Sequence, residues 1–125
     1  MTGFGFPGRF RIKKTDEFSS VFNFRKRISG QVLVMHIMPN GLKNARVGLI
    51  VGKKLVRSAV ERNYMKRVLR ELYRREQGVL GGVDILIRPQ KVFTRAHFAQ
   101  IEEEFRQLMH KLRERFPVTN NSRQA

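Results

Sequence analysis

The stretch SAVERNYMKRVLREL, residues 58–72, carries a helix start signal followed by two opposed faces. Ser58 with Glu61 three residues later has the spacing of a capping box, so a helix is expected from Ala59. At about 100° per residue, Arg62, Lys66, Arg70 and Arg74 recur every four positions with Asn63 and Arg67 beside them, which gathers the polar set into an arc of about 140°. Val60, Tyr64, Met65, Val68, Leu69 and Leu72 fill the other side. The pattern predicts an amphipathic helix with one packed face and one cationic face.

Working outward, ARVGLIVGKK (45–54) alternates Val47, Leu49 and Val51 and predicts a strand over 45–52. Gly78 and the pair Gly81-Gly82 are expected to end the helix, VDILIRP gives a strand over 83–88, and Pro89 closes it. A final helix is expected from near Thr94, because Phe98, Ile101, Phe105, Leu108 and Leu112 keep a 3-4-3-4 spacing as a lid on the core until Pro117 stops it. Toward the N-terminus, Thr15 is a candidate cap, Asp16 and Glu17 suit a first turn, and Phe18, Val21 and Phe22 are helically spaced, giving a short helix over 16–24. Ser29-Gly30 separates two extended runs, 25–28 and 31–38, as a hairpin, and Asn40-Gly41 marks the next turn. Residues 1–10, rich in Gly and Phe, are expected to be flexible or loosely docked, and 118–125 to be a disordered polar tail. Between them, 11–117 reads as one α+β domain, helices against a sheet in the order αβββαβα.

The charge narrows the function. Twenty-six Lys and Arg against ten Asp and Glu leave +16 on 125 residues. Self-repulsion of that size destabilises a compact chain unless a polyanion neutralises it, and nucleic acid is the obvious one. No acid occurs between Glu17 and Glu61, whereas Glu102, Glu103, Glu104 and Glu114 cluster late. A continuous basic surface from the first three-fifths of the chain is therefore expected. With no 18-residue apolar run, no secretory signal pattern in MTGFGFPGRFRIKK and no cysteine, the reading is a soluble cytoplasmic protein without a membrane partner.

Side-chain catalysis needs paired carboxylates, a metal cluster or a nucleophile beside a base. His36, His97 and His110 are scattered, the run Glu102 to Glu104 suits a solvated or packing-edge position, and GFGFPG has no preceding strand to make it a phosphate loop. No catalytic and no metal-binding residues are assigned. Binding remains. From Lys53 to Arg75 nine cations face two acids, and like charges four apart destabilise an isolated helix by about a few tenths of a kcal/mol each. A bound polyanion accounts for that arrangement better than a solvated face does. The candidate RNA-binding set is Lys53, Lys54, Arg57, Arg62, Asn63, Lys66, Arg67, Arg70 and Arg74, with Asn63 able to bridge a phosphate or a hydrated metal ion held on RNA.

RNYMKRVLRE resembles the RNR signature of the bacterial ribonuclease P protein subunit family. The family pattern Arg-Asn-Arg-x-Lys-Arg-x-x-Arg is matched by Arg62, Asn63, Lys66, Arg67 and Arg70, while Tyr64 stands where a third arginine is usual. The likeness extends to RIKKTDEFSSVF, ARVGLIVGKK and DILIRP in the same order, over roughly residues 11–115. It implies a four-stranded sheet with three helices and a left-handed βαβ crossover at the signature helix, against the usual right-handed rule. It implies a subunit of ribonuclease P, in which the RNA subunit and its magnesium ions cleave precursor tRNA while the protein binds that RNA and the 5′ leader. It also implies a leader-binding cleft between the first helix and the sheet, matched here by Phe18 and Phe22, with Met35 at a strand position that is often aromatic and Arg11 and Lys13 nearby. Taken from the residues alone, Phe18 and Phe22 read as core, although a half-exposed aromatic beside cations is what a single-strand stacking platform requires. Tyr64 lies at the edge of the apolar face, and its ring is expected to pack on the sheet with its hydroxyl toward solvent or RNA. The alternatives are a structural RNA-binding domain of the ribosomal-protein kind and an RNA chaperone.

Overall fold

The computed structural model describes residues 12, 15–76 and 80–115, the side chains of 15–17 excepted. The expectations for 1–10, Gly78, Pro117 and 118–125 lie outside these residues, as do Arg11, Lys13 and the cap sought at Thr15.

Helix α1 (Thr15–Phe24) leads directly into the hairpin β1 (Lys26–Ser29) and β2 (Leu33–Pro39), followed by β3 (Arg46–Leu49), α2 (Ala59–Arg74), β4 (Val83–Pro89) and, after a 3-10 turn (Arg95–His97), α3 (Phe98–Arg115). The order matches the sequence reading. The sheet order is β1-β2-β4-β3, with β4 antiparallel to β2 and parallel to β3.

Both faces of this mixed sheet are covered. On one, Leu33, Met35, Ile37, Ile85 and Ile87 join Met65, Val68, Leu69 and Leu72 of α2 and Ile101, Phe105, Leu108, Met109 and Leu112 of α3 in the main core. On the other, Val21 and Phe18 of α1 pack with Ile12, Leu86, Met38 and Ile50. Successive strand residues point to opposite faces, so β2 sends Leu33, Met35 and Ile37 into the main core and Val34, His36 and Met38 toward α1.

Local details follow from single groups. Ser58 caps α2 by accepting the Glu61 N–H at 3.2 Å, which is one half of the expected box. The helix ends at Arg74, four residues before Gly78, where Arg75 N–H bonds back to the Glu71 carbonyl. Strand β2 begins at Leu33, not at residue 31. The Glu104 carboxylate of α3 accepts the Val32 and Leu33 amides at 2.9 and 2.6 Å and takes them out of the ladder. Thr94 and His97 form a reciprocal cap on the turn that starts the last helix.

Candidate nucleic-acid interface

The interface starts in the connection from β3 to α2. Lys53, Lys54 and Arg57 are exposed there, and Arg62 holds the connection in place, its Nη1 donating to the carbonyls of Val56 and Arg57 at 2.8 Å each. Arg62 therefore braces the connection that carries Lys53, Lys54 and Arg57. Along α2, Asn63, Arg67 and Arg70 are exposed and Lys66 half-buried, with no ion pair to any of them among the described residues. Arg74 differs, because both its Nε and Nη2 go to the Glu71 carboxylate, at 3.3 and 2.5 Å. The cation stripe is thus real from Asn63 to Arg70 and neutralised at its last member.

Val60 was assigned to the packed face and is 79% exposed. It belongs to the first turn of α2, where its neighbours Ala59 and Glu61 are exposed too. Tyr64 is half-buried against the main core, but its partner is the ring of Phe93, edge-on at 6.3 Å, in the segment after β4 and not in the sheet.

Two of the stripe residues have a second surface. Lys66 and Arg70 line a cleft of about 180 Å³ together with Ile12, Phe18, Val47, Gly48 and Leu49. Gly48 lets Phe18 and Leu86 pack directly onto β3: a β-carbon there would come within 2.5 Å of Phe18 Cε1 and 2.7 Å of Leu86 Cδ2. Phe18 is consequently half core and half wall.

Phe22 is 37% exposed and lies edge-on to the His36 ring, with centroids 4.5 Å apart. His36 faces α1 because of the strand alternation, and its cross-strand neighbours are Arg27 on β1 and Leu86 on β4. Arg88 Nε approaches His36 Nε2 at 3.4 Å, so the imidazole acts as acceptor. Burial, then Arg88 and Arg27, hold the His36 pKa below its ordinary 6.5, which keeps the ring neutral at neutral pH.

Met35 does not belong to this surface. It is wholly buried in the main core, paired with Ile28 and Ile87 and pointing away from α1. His36, one residue on, packs against Phe22 of α1. Arg27, opposite His36 on β1, and Arg88 on β4 stand beside it, and neither was named from the sequence.

The arrangement offers cations and aromatic edges to a polyanion. The described residues contain no cluster of three His, Cys, Asp or Glu suited to hold a metal ion, and none of their helices is long and apolar enough to cross a membrane.

Comparison with known proteins gives a consistent pattern. Residues 6–113 match the model of the family described as Ribonuclease P. The ribonuclease P protein component of Chromobacterium violaceum is 45% identical over 112 residues, covering 90% of this chain and 93% of that one. That of an Azoarcus species is 42% identical over 107 residues, covering 86% and 89%. Among solved structures, the ribonuclease P protein from Thermotoga maritima superposes with a TM-score of 0.71 at 30% identity over 83% of this chain and 96% of that one.

Proposed function

This chain belongs to the ribonuclease P protein family, subunits of the RNA-based endoribonuclease that processes tRNA precursors, and we propose that its basic surfaces divide that task. The exposed stripe of Asn63, Lys66, Arg67 and Arg70, with Lys53, Lys54 and Arg57 held beside it by Arg62, neutralises phosphates of the ribonuclease P RNA. The cleft under α1, walled by Phe18 and continued by Phe22, His36, Arg27 and Arg88, receives the single-stranded 5′ leader of the precursor. The observation that carries this reading is that Lys66 and Arg70 line the cleft as well as the stripe, which makes one uninterrupted cationic track.

In this scheme the protein performs no bond cleavage. Magnesium, which the family's holoenzyme uses, does not fit the track as a ligand set, because ammonium and guanidinium groups repel a divalent cation; the ions belong to the RNA. Neutralising RNA phosphates lowers the magnesium needed to fold the RNA, and seating the leader discriminates precursor from mature tRNA. The cytoplasm is the proposed site of action. The test is cleavage of a precursor tRNA by ribonuclease P RNA at low magnesium with and without this protein. Faster processing with the protein supports the reading; the same rate in both arms rejects it in favour of a general RNA-binding domain.

A further inference from the structure

A second groove, separate from the cleft under α1, lies between α2 and the start of α3. Its volume is about 400 Å³, within the range of small-ligand sites, and it is lined by Tyr64, Arg67, Val68, Glu71, Arg75, Arg95 and Phe98. Tyr64 and Phe98 are half-buried on the main core, so the floor is aromatic and held in place from below. The Arg95 guanidinium lies over the Tyr64 ring, 5.8 Å from its centroid, so a base stacking there displaces this exposed side chain toward a flanking phosphate. Glu71 is occupied by Arg74, and Arg75 by Glu102 at 2.7 Å, whereas Arg67 and Arg95 have no acidic partner among the described residues. The groove therefore pairs an immobilised π surface with two unneutralised forked cations, and Arg67 also belongs to the exposed stripe of α2.

We propose that this groove holds one unpaired nucleotide of the ribonuclease P RNA, its base stacked on Tyr64 and Phe98 and its flanking phosphates on Arg67 and Arg95. The inference rests on the functional reading above. The chemistry favours a nucleotide over a bare anion because two aromatic residues would gain nothing from phosphate alone. It favours RNA over an apolar peptide because the walls are guanidinium groups. Unpaired bases of RNA are commonly received on aromatic rings and arginine planes.

Stacking and phosphate neutralisation differ in their salt dependence, which makes the groove testable in the full-length protein. Binding to ribonuclease P RNA is measured across a salt series for wild type, Tyr64→Leu, Tyr64→Phe and Arg95→Gln. Tyr64→Leu is expected to weaken binding roughly 5- to 150-fold with an unchanged salt slope, the range for one stacked base, and Tyr64→Phe to restore it. Arg95→Gln, an exposed position that leaves the fold intact, should lower the slope by about 0.7 to 0.9. A second readout uses RNA carrying 4-thiouridine: irradiation should join an unpaired position to Tyr64 or Phe98. Full affinity in folded Tyr64→Leu, or crosslinks confined to the α1 side, overturns the proposal. If Tyr64→Leu loses its unfolding transition, Arg95→Gln and the crosslink decide, and an unchanged slope with no crosslink at the groove is the overturning result. Failure of the wild-type protein to bind this RNA at all defeats instead the function on which the groove's role depends.

Discussion

Arg46 and Arg70 are the same residue type put to opposite uses. At the edge of the sheet, Arg46 donates Nε and Nη2 to the two oxygens of Asp84 at 2.9 and 2.6 Å, and Asn40 adds a bond to Oδ1 at 2.8 Å; Asp84 is 1% exposed. On α2, Lys66, Arg67 and Arg70 have no acid beside them among the described residues. The first region is a closed set, in which each charge answers another inside the molecule. The second is open, and its charges are answered only when something anionic arrives. In a chain with this excess of cations, pairing status separates the arginines that build the fold from those proposed to meet RNA.

The sharpest way to break the comparison is at Asp84. Removing one member of a buried pair leaves the other uncompensated at a cost of about 3–5 kcal/mol, toward the lower figure here because Arg46 remains 21% exposed. Asp84→Ala is therefore expected to lower stability by about 3 kcal/mol in denaturant unfolding. The salt slope of RNA binding by the fraction still folded should not move.

Next comes the converse change. Lys66, Arg67 and Arg70 replaced together by Ala should reduce the salt slope of RNA binding by about 2 to 3, near 0.7 to 0.9 for each lost phosphate contact. Stability should stay within roughly 0.5 kcal/mol of wild type, as for surface substitutions elsewhere. A normal slope would mean that the stripe is merely hydrated.

The two α1 aromatics sharpen the boundary between the regions. Phe22→Ala should weaken holoenzyme affinity for leader-bearing precursor by about 1–3 kcal/mol and leave mature tRNA unaffected. Phe18→Ala should also lower the unfolding midpoint, because its ring fills the space above Gly48 and Leu86. Equal losses for both RNA ligands in a folded Phe22→Ala protein would remove that ring from the leader path.

The smallest effect is expected at His36. Its folded pKa lies below the unfolded value near 6.5, so protonation favours the unfolded chain. The stability it supports is complete above that value and is lost as the pH falls through the depressed one, with a slope of at most about 1.4 kcal/mol per pH unit for one proton. His36→Gln should flatten unfolding free energy against pH as the pH falls below about 6.5. An unchanged profile would remove His36 as a source of the pH dependence.

The element order was legible because α2 and α3 each carry a strong helical period and β4 is a short apolar run closed by Pro89. Exposure was legible where it depends on a residue's own helix face, as for Asn63, Lys66, Arg67 and Arg70. It was illegible where the deciding partner is remote or is backbone. Arg62 turns to the carbonyls of Val56 and Arg57, and nothing in a helical wheel shows that. Strand β2 is apolar on both faces, from Leu33 through Ile37 apart from His36, so alternation gives no phase, and Met35, placed in the cleft by the family resemblance, lies in the main core. Glu104 looked like one of three interchangeable acids until its carboxylate was seen on the amides of Val32 and Leu33.

The position of β4 also has a consequence for how the chain comes into being. It is the last strand made and lies inside the sheet, hydrogen-bonded to β2 on one side and β3 on the other. Until it emerges from the ribosome, β3 has no neighbour, and Leu86, the floor beneath Phe18 and Val21, does not exist. A nascent chain halted before residue 83 thus exposes most of its cations without a formed cleft. At a synthesis rate of about 5–20 residues per second that interval lasts only seconds, after which one strand insertion completes the sheet. A cleft assembled from residues this far apart in sequence is expected to form late and all at once.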